Sequence, residues 1–303
     1  MTRHELAIAK TVIYASLFDY PLTLHQLQAT LIGVTLTSEQ VLTVYESSPP
    51  LQTIVCHRNG FFFPSGRDEL IAERLRRECR SREFLERHRP LLRLLCLVPF
   101  TRMIALSGSV AHLNLEPGGD LDVFIITRGR TVWMVTVAVL VLTRILGVRK
   151  TICANLIMSD ERLAVDQQDL FTANQVVHLK PILDDHVLDG FRAANPFVQR
   201  YYPNWRGQSD AGFVVPLGTV LPKIKRASEM LLAGAVSMLE SLCRYSYARH
   251  LRRRSRTWQS PDQVQLRPDY LKLHSSSHRR SVLERFDERV EEVIGQSERA
   301  AIA

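Results

Sequence analysis

Two aspartates, Asp120 and Asp122, stand at the head of an otherwise apolar run, Leu121-Asp122-Val123-Phe124-Ile125-Ile126. The run is apolar almost throughout, which predicts a strand over 121–126 that is buried on both faces. Strand side chains alternate with period two, so both carboxylates leave the same face. Two like charges there repel each other and lose solvation. A divalent cation resolves the conflict. Hard oxygen donors suit Mg²⁺ (or Mn²⁺), which keeps its other positions for water and substrate phosphates. The pair therefore calls for a buried sheet with a cation at the head of one strand. The bland alternative is two acids that cap a turn or face solvent.

The flanks sharpen this reading. Arg102 to Leu106 is a short apolar strand, and Ser107-Gly108-Ser109 turns from it into a short helix reaching about Asn114. Glycine permits close backbone approach, and free N–H groups at a helix start favour an anion. Ser107 and Ser109 add hydroxyl donors, or serve as plain N-caps. A Gly-Ser step is common and so is Asp-x-Asp. Their order, their strand contexts and the ten residues between Ser109 and Asp120 are jointly more specific. Residues 131–147 read as an apolar helix ended by Gly147, and 151–158 as a third strand. On strict alternation Ile152, Ala154, Leu156 and Met158 share one face of that strand. Cys153, Asn155, Ile157 and Ser159 share the other. Asn155 is then either a neutral third ligand or a core amide satisfied by backbone. Asp160 and Glu161 fall at the strand's end. Val165 to Lys180 reads as a helix stopped by Pro181.

The first 67 residues have their own pattern. Helical spacing covers 5–18, and Asp19-Tyr20-Pro21 breaks it. Thr23 with Gln26, and Thr37 with Gln40, have the capping-box spacing, so each opens a further helix. Gln52–His57 and Phe61–Phe63 are short β runs around Asn59-Gly60, a strong hairpin signal. Three helices and a hairpin predict a winged helix-turn-helix. The third helix, TSEQVLTVYESS, carries Glu39 and Glu46 and no Lys or Arg. Sequence-specific DNA binding is therefore not expected of it. Residues 68–93 alternate Arg with Glu, which suits a solvated connector helix or a phosphate-contacting face. Beyond 190 the chain reads as mainly helical, with a long helix over 221–254, an irregular stretch over 257–277 and a last helix over 281–294.

The run LSGSVAHLNLEPGGDLDVFII resembles the signature of the polymerase-β nucleotidyltransferase superfamily: an apolar strand, Gly-Ser, about ten residues, then Asp-x-Asp on a strand. FDYPLTLHQL and NGFFFPSGRDEL resemble the winged-helix front end of bacterial proteins that fuse such a module to this catalytic domain. The superfamily resemblance covers roughly residues 98–180. It implies transfer of a nucleotidyl group from an NTP, with Asp120 and Asp122 as catalytic metal ligands and Ser107, Gly108 and Ser109 on the nucleotide phosphates. ATP is the favoured donor. The acceptor, a small molecule, protein or RNA, is left open. Two features depart from the superfamily pattern. Gly118 and Gly119 stand where a small polar residue often precedes the first Asp, and no third carboxylate is clear. The expected fold class is α+β: a winged helix at 1–67, a connector at 68–97, a polymerase-β-like α/β core at 98–190 and a helical region at 191–303. The competing function is a nucleic-acid-binding or nucleotide-sensing regulator built on a degenerate catalytic fold.

Composition sets the outer limits. A formal net charge of +8 favours anionic partners without choosing among them. Five cysteines, none in C-x-x-C spacing, argue against a disulfide framework or a zinc site and for a cytoplasmic setting. The most apolar stretch, 131–143, is shorter than the roughly 20 residues that span a bilayer, so no transmembrane segment is expected.

Overall fold

Three capping boxes set the front of the chain. In each, a threonine hydroxyl accepts an N–H three residues on, while the acid or amide there accepts the threonine's own N–H. Thr2 with Glu5 starts α1 (Arg3–Ser16), Thr23 with Gln26 starts α2 (Leu24–Ala29), and Thr37 with Gln40 starts α3 (Ser38–Glu46). Strand β1 (Leu22–Thr23) lies between α1 and α2. A fourth helix, α4 (Pro49–Ile54), takes Gln52 to Ile54, which the sequence placed in a strand. Prolines are tolerated there because first-turn N–H groups have no helical partner. Ser48 Oγ accepts the Leu51 N–H at 3.2 Å. Strands β2 (Val55–Arg58) and β3 (Phe61–Pro64) then form the expected hairpin. Asn59 and Gly60 both take positive φ, 52° and 79°, as its turn requires. The sheet order is β1-β3-β2, over a core that includes Ile8, Leu27, Val41, Leu51 and Phe62.

The chain is described here from a computed structural model over residues 1–184, 186–207, 215, 217–273 and 278–302. Helix α5 (Glu69–Leu95) links the front sheet to a second, six-stranded one. Its surface carries same-helix ion pairs such as Arg76–Glu73 and Arg82–Glu78. The central elements follow as β4 (Thr101–Leu106), α6 (Gly108–Ala111), β5 (Leu121–Thr127), α7 (Val132–Ile145), β6 (Ile152–Ser159), α8 (Leu170–Val177) and β7 (Lys180–Asp184). After them come α9 (Leu188–Ala193), α10 (Phe197–Tyr201), α11 (Val220–Leu232), α12 (Val236–Arg253), β8 (Val264–Leu266), β9 (Tyr270–Leu273) and α13 (Arg279–Ile302).

The large sheet runs β7-β4-β5-β6-β9-β8. Strands β5 and β6 are parallel and joined through α7, and the other neighbouring pairs are antiparallel. One face buries Ile104, Leu106, Leu121, Val123 and Ile125 with residues of α5, α7 and α12. The opposite face buries Met103, Ala105, Phe124 and Ile126 with residues of α8, α9, α10 and α13. Alternation along β5 puts Asp122 on this second face, beside Phe124.

The fold is mixed α+β, with two sheets. Several expectations are corrected. The helix expected over 165–180 is confined to α8, because Asp169 caps it at Thr172 N and β7 takes over at Lys180. The helix expected over 221–254 is broken into α11 and α12 by a 3-10 turn at Ala233–Ala235, around Gly234. Within the stretch expected to be irregular, β8 and β9 extend the central sheet from beyond residue 190, while 274–277 lie outside the described residues. No helix among the described residues is long and apolar enough to cross a membrane.

Candidate functional site

The turn between β4 and α6 and the head of β5 converge. The Ser107 N–H donates to the Asp122 carbonyl at 3.0 Å, which fixes the turn against β5. Gly108 has φ +61°, and an added Cβ would meet the Asp122 carboxylate at 2.2 Å. Both observations require glycine. Helix α6 is a single turn, and Ser107 makes no side-chain cap bond. The donors available to an anion are therefore those of a tight turn, with little helix dipole behind them. Ser109 lines the cavity in front of the carboxylates, and Ser107 lines the one beside them. The sequence-nominated residues Ser107, Gly108, Ser109, Asp120, Asp122 and Asn155 all border these two adjoining cavities.

The electrostatics are those of a crowded carboxylate pair. Burial pushes the Asp122 carboxyl up to about 7, the Asp120 charge adds to the rise, and a hydrogen bond from Asn155 opposes it. Ligand atoms of Asp120, Asp122 and Cys153 lie within 4.8 Å of one another. Burial pushes the Cys153 thiol up to about 11, with Asp122 and Asp120 adding to it, so it stays protonated at neutral pH. Two carboxylates fit a hard divalent cation, whereas a protonated thiol is a poor partner for Mg²⁺.

Asn155 reaches the site differently from the sequence expectation. Its Nδ2 donates to Asp122 Oδ1 at 3.2 Å, and its Oδ1 faces Cys153 Sγ at 3.0 Å. Asn155 is thus placed to hold the Asp122 carboxylate. The strict alternation along β6 also fails. Val123 pairs with Ala154 but Phe124 pairs with Leu156, so a bulge at Asn155 shifts the register. Ile152 consequently packs on one face while Met158 packs on the other. Asp160 binds Arg102 at 2.8 Å and the Gly129 N–H at 2.7 Å, at the far end of the strand from Asp122.

Sequence reasoning missed several residues. The cavity of about 560 Å³ in front of the carboxylates reaches Tyr14 and Asp19 of the front module and Arg285 of α13. The neighbouring one, about 540 Å³, brings in Lys272, His278 and Arg279. Lys272 contacts Gln263 at 3.1 Å, and Arg279 pairs with Asp169. These basic residues come from a stretch read as irregular or from its border. The usable signal there was the strand-like run Tyr270-Leu271-Lys272-Leu273. His112 and His178 lie with ring centroids 3.9 Å apart and planes tilted by 30°. Burial drives the His112 pKa well below its usual value, and His178, Lys180 and Arg74 add to the effect.

No protein-family model, curated protein or solved structure matches the chain, so the functional reading stands on this geometry and on the residues that form it.

Proposed function

We propose that the chain is a Mg²⁺-dependent nucleotidyltransferase of the polymerase-β type, which moves an NMP group from an NTP, preferentially ATP, to a hydroxyl-bearing acceptor. The observation that carries the reading is the convergence of the Gly108 turn on the Asp120–Asp122 pair. The glycine turn lies directly against the Asp122 carboxylate, and ligand atoms of Asp120, Asp122 and Cys153 lie within 4.8 Å of one another. Asp120 and Asp122 would hold the cation. When bound, it supplies charge neutralisation for the triphosphate and the in-line displacement. The backbone of Ser107 to Ser109 orients the phosphates, and Asn155 fixes the rotamer of Asp122.

The front module is read as a winged helix that positions the acceptor. Tyr14, Asp19 and Tyr20 line the cavity that reaches Asp122, and Asn114 Nδ2 bonds the Phe18 carbonyl at 2.8 Å. In the second reading the fold senses nucleotide without turning it over. The two-acid site favours that reading, because a thiol and an amide stand where a third carboxylate would. To test the choice, the full chain is incubated with each α-labelled NTP, Mg²⁺ or Mn²⁺ and cell extract. Metal-dependent transfer of label that disappears in Asp120→Asn/Asp122→Asn supports the enzyme. Nucleotide binding without transfer or pyrophosphate release, under all four donors, supports the sensor.

A further inference from the structure

A cavity of about 750 Å³ lies at the seam of the front module, α5 and the central sheet. It shares His112 and His178 with the cavity that reaches Asp122. Arg74 lines it and is only 4% exposed. Its guanidinium lies over the Tyr20 ring, 3.5 Å from the centroid. A face contact of this kind uses the π surface of the guanidinium and leaves its in-plane N–H groups unused. Nε and Nη1 are buried with no acceptor among the described residues. Trp205, 7% exposed, lines the same cavity, and its indole N–H is likewise buried without an acceptor.

Carboxylates on the wall do not answer these donors. Glu78 accepts from Arg82 and Glu86 from Arg89. Arg82 and Lys180 also line the cavity, so with Arg74 it carries three cationic side chains against the two glutamates. Buried donors in native proteins are nearly always matched, and a buried guanidinium is matched best by an oxyanion in its plane.

We propose that this cavity is a second ligand site, for a small molecule with an oxyanion head group, either a phosphate ester or a carboxylate. A small turn of each side chain toward the cavity would bring Nε–H or Nη1–H of Arg74 and the indole N–H of Trp205 onto the head group. The proposal does not depend on transfer chemistry at Asp120 and Asp122. Its walls come from α2, α5, α8 and β7, so occupancy ties the front module to the sheet.

Isothermal titration of the full-length protein with inorganic phosphate, and separately with succinate, tests the site against a sodium chloride control of equal ionic strength. At least one anion binds above the control, and the tighter of the two gives the head-group class. Arg74→Met, which keeps most of the aliphatic stem, weakens that binding at least tenfold, and Trp205→Phe weakens it several-fold. Asp120→Asn/Asp122→Asn leaves it unchanged, which separates this site from the nucleotide site. If Arg74→Met does not fold, Arg74→Lys keeps the charge but loses the planar fork, and binding still weakens. Equal affinity in wild type and the folded Arg74 variant overturns the proposal, as does failure of both anions to exceed the control.

Discussion

The Asp122 carboxylate fills the space that a Cβ on Gly108 would need: an added carbon there would stand 2.2 Å from Oδ2. The left-handed backbone at Gly108 adds a cost of about 1–2 kcal/mol for any other residue. Gly108→Ala is therefore enough to displace Asp122. It lowers the melting temperature and weakens binding of a non-hydrolysable NTP with Mg²⁺ at least tenfold. Ser109→Ala does less, because the backbone donors remain. Calorimetric titration ranks the two, and unchanged affinity in Gly108→Ala would place the triphosphate elsewhere.

Metal dependence is the expected outcome if the same pair holds the proposed cation. With NTP present, Mg²⁺ raises the melting temperature above that in EDTA, and Asp120→Asn/Asp122→Asn abolishes the difference. Without metal, the double variant is at least as stable as wild type, because a like-charge pair has gone. Asn155→Asp reverses this balance. It replaces the amide donor 3.2 Å from Asp122 Oδ1 with a third carboxylate. The metal-free protein loses about 1–3 kcal/mol, and the gain on adding Mg²⁺ grows beyond that of wild type. A gain no larger than that of wild type would place position 155 out of reach of the proposed cation.

Glu240 caps α7 from a distant part of the chain. Its carboxylate accepts the Trp133 N–H at 3.1 Å and the Met134 N–H at 2.7 Å. Thr131, at the N-cap position, makes no side-chain cap bond, so among the described residues these buried donors have Glu240 alone. Glu240→Ala costs about 2–3 kcal/mol in urea unfolding. Glu240→Gln costs less, since one amide oxygen can still accept. A loss under half a kcal/mol in the alanine variant would mean that the helix start finds another partner.

His112 gives the fold a dependence on acid. Its folded pKa lies below the unfolded value, chiefly because it is buried. Below about 6.5, the unfolded chain therefore binds a proton that the native state refuses, and stability is lost as the pH falls. Above that range the contribution is level. His112→Gln removes this term, so the stability difference between wild type and variant changes between pH 7 and 5 and is constant above 7. Denaturant titrations across the range measure it, and a difference independent of pH would contradict the sign.

Four arginines of α5 differ in partners from three at the end of α12. Arg76, Arg77, Arg82 and Arg89 pair with glutamates of their own helix. Arg249, Arg252 and Arg253, beside a surface hollow, form no ion pair among the described residues. Any duplex affinity of the full chain should map there. Arg249→Glu/Arg252→Glu/Arg253→Glu lowers it and flattens its salt dependence by up to about three phosphate contacts. Glu39→Ala and Glu46→Ala in α3 leave it within twofold. Fluorescence anisotropy separates the two sets, and a large response confined to α3 would restore groove reading by the front module.

Local chemistry was legible in the sequence, and long-range pairing was not. The Thr23–Gln26 and Thr37–Gln40 boxes, the Asn59-Gly60 turn and the Asp122 strand each carry their cause within a few residues. Lys180–Asp184 was read only as a stop at Pro181, because its strand character comes from lying beside β4. Tyr270–Leu273 likewise becomes a strand by pairing with β6. Asn155 was assigned a face by strict alternation, and one bulge undid that assignment for the rest of the strand. Cys153 had the correct parity to face Asp122, but nothing in its own neighbourhood marked it as part of the site.

Strand β6 gains its outer neighbour only from Tyr270 to Leu273. On the ribosome, its row of amides and carbonyls stays open while α8 through α12 are still being made. An open edge of that kind is a template for the wrong partner, and pairings this distant along the chain close slowly. The vulnerable species in the life of this protein is therefore the nascent chain in which β6 has been made and Tyr270 to Leu273 have not. Yield on expression should depend more on chaperone supply during that interval than on the stability of the completed fold.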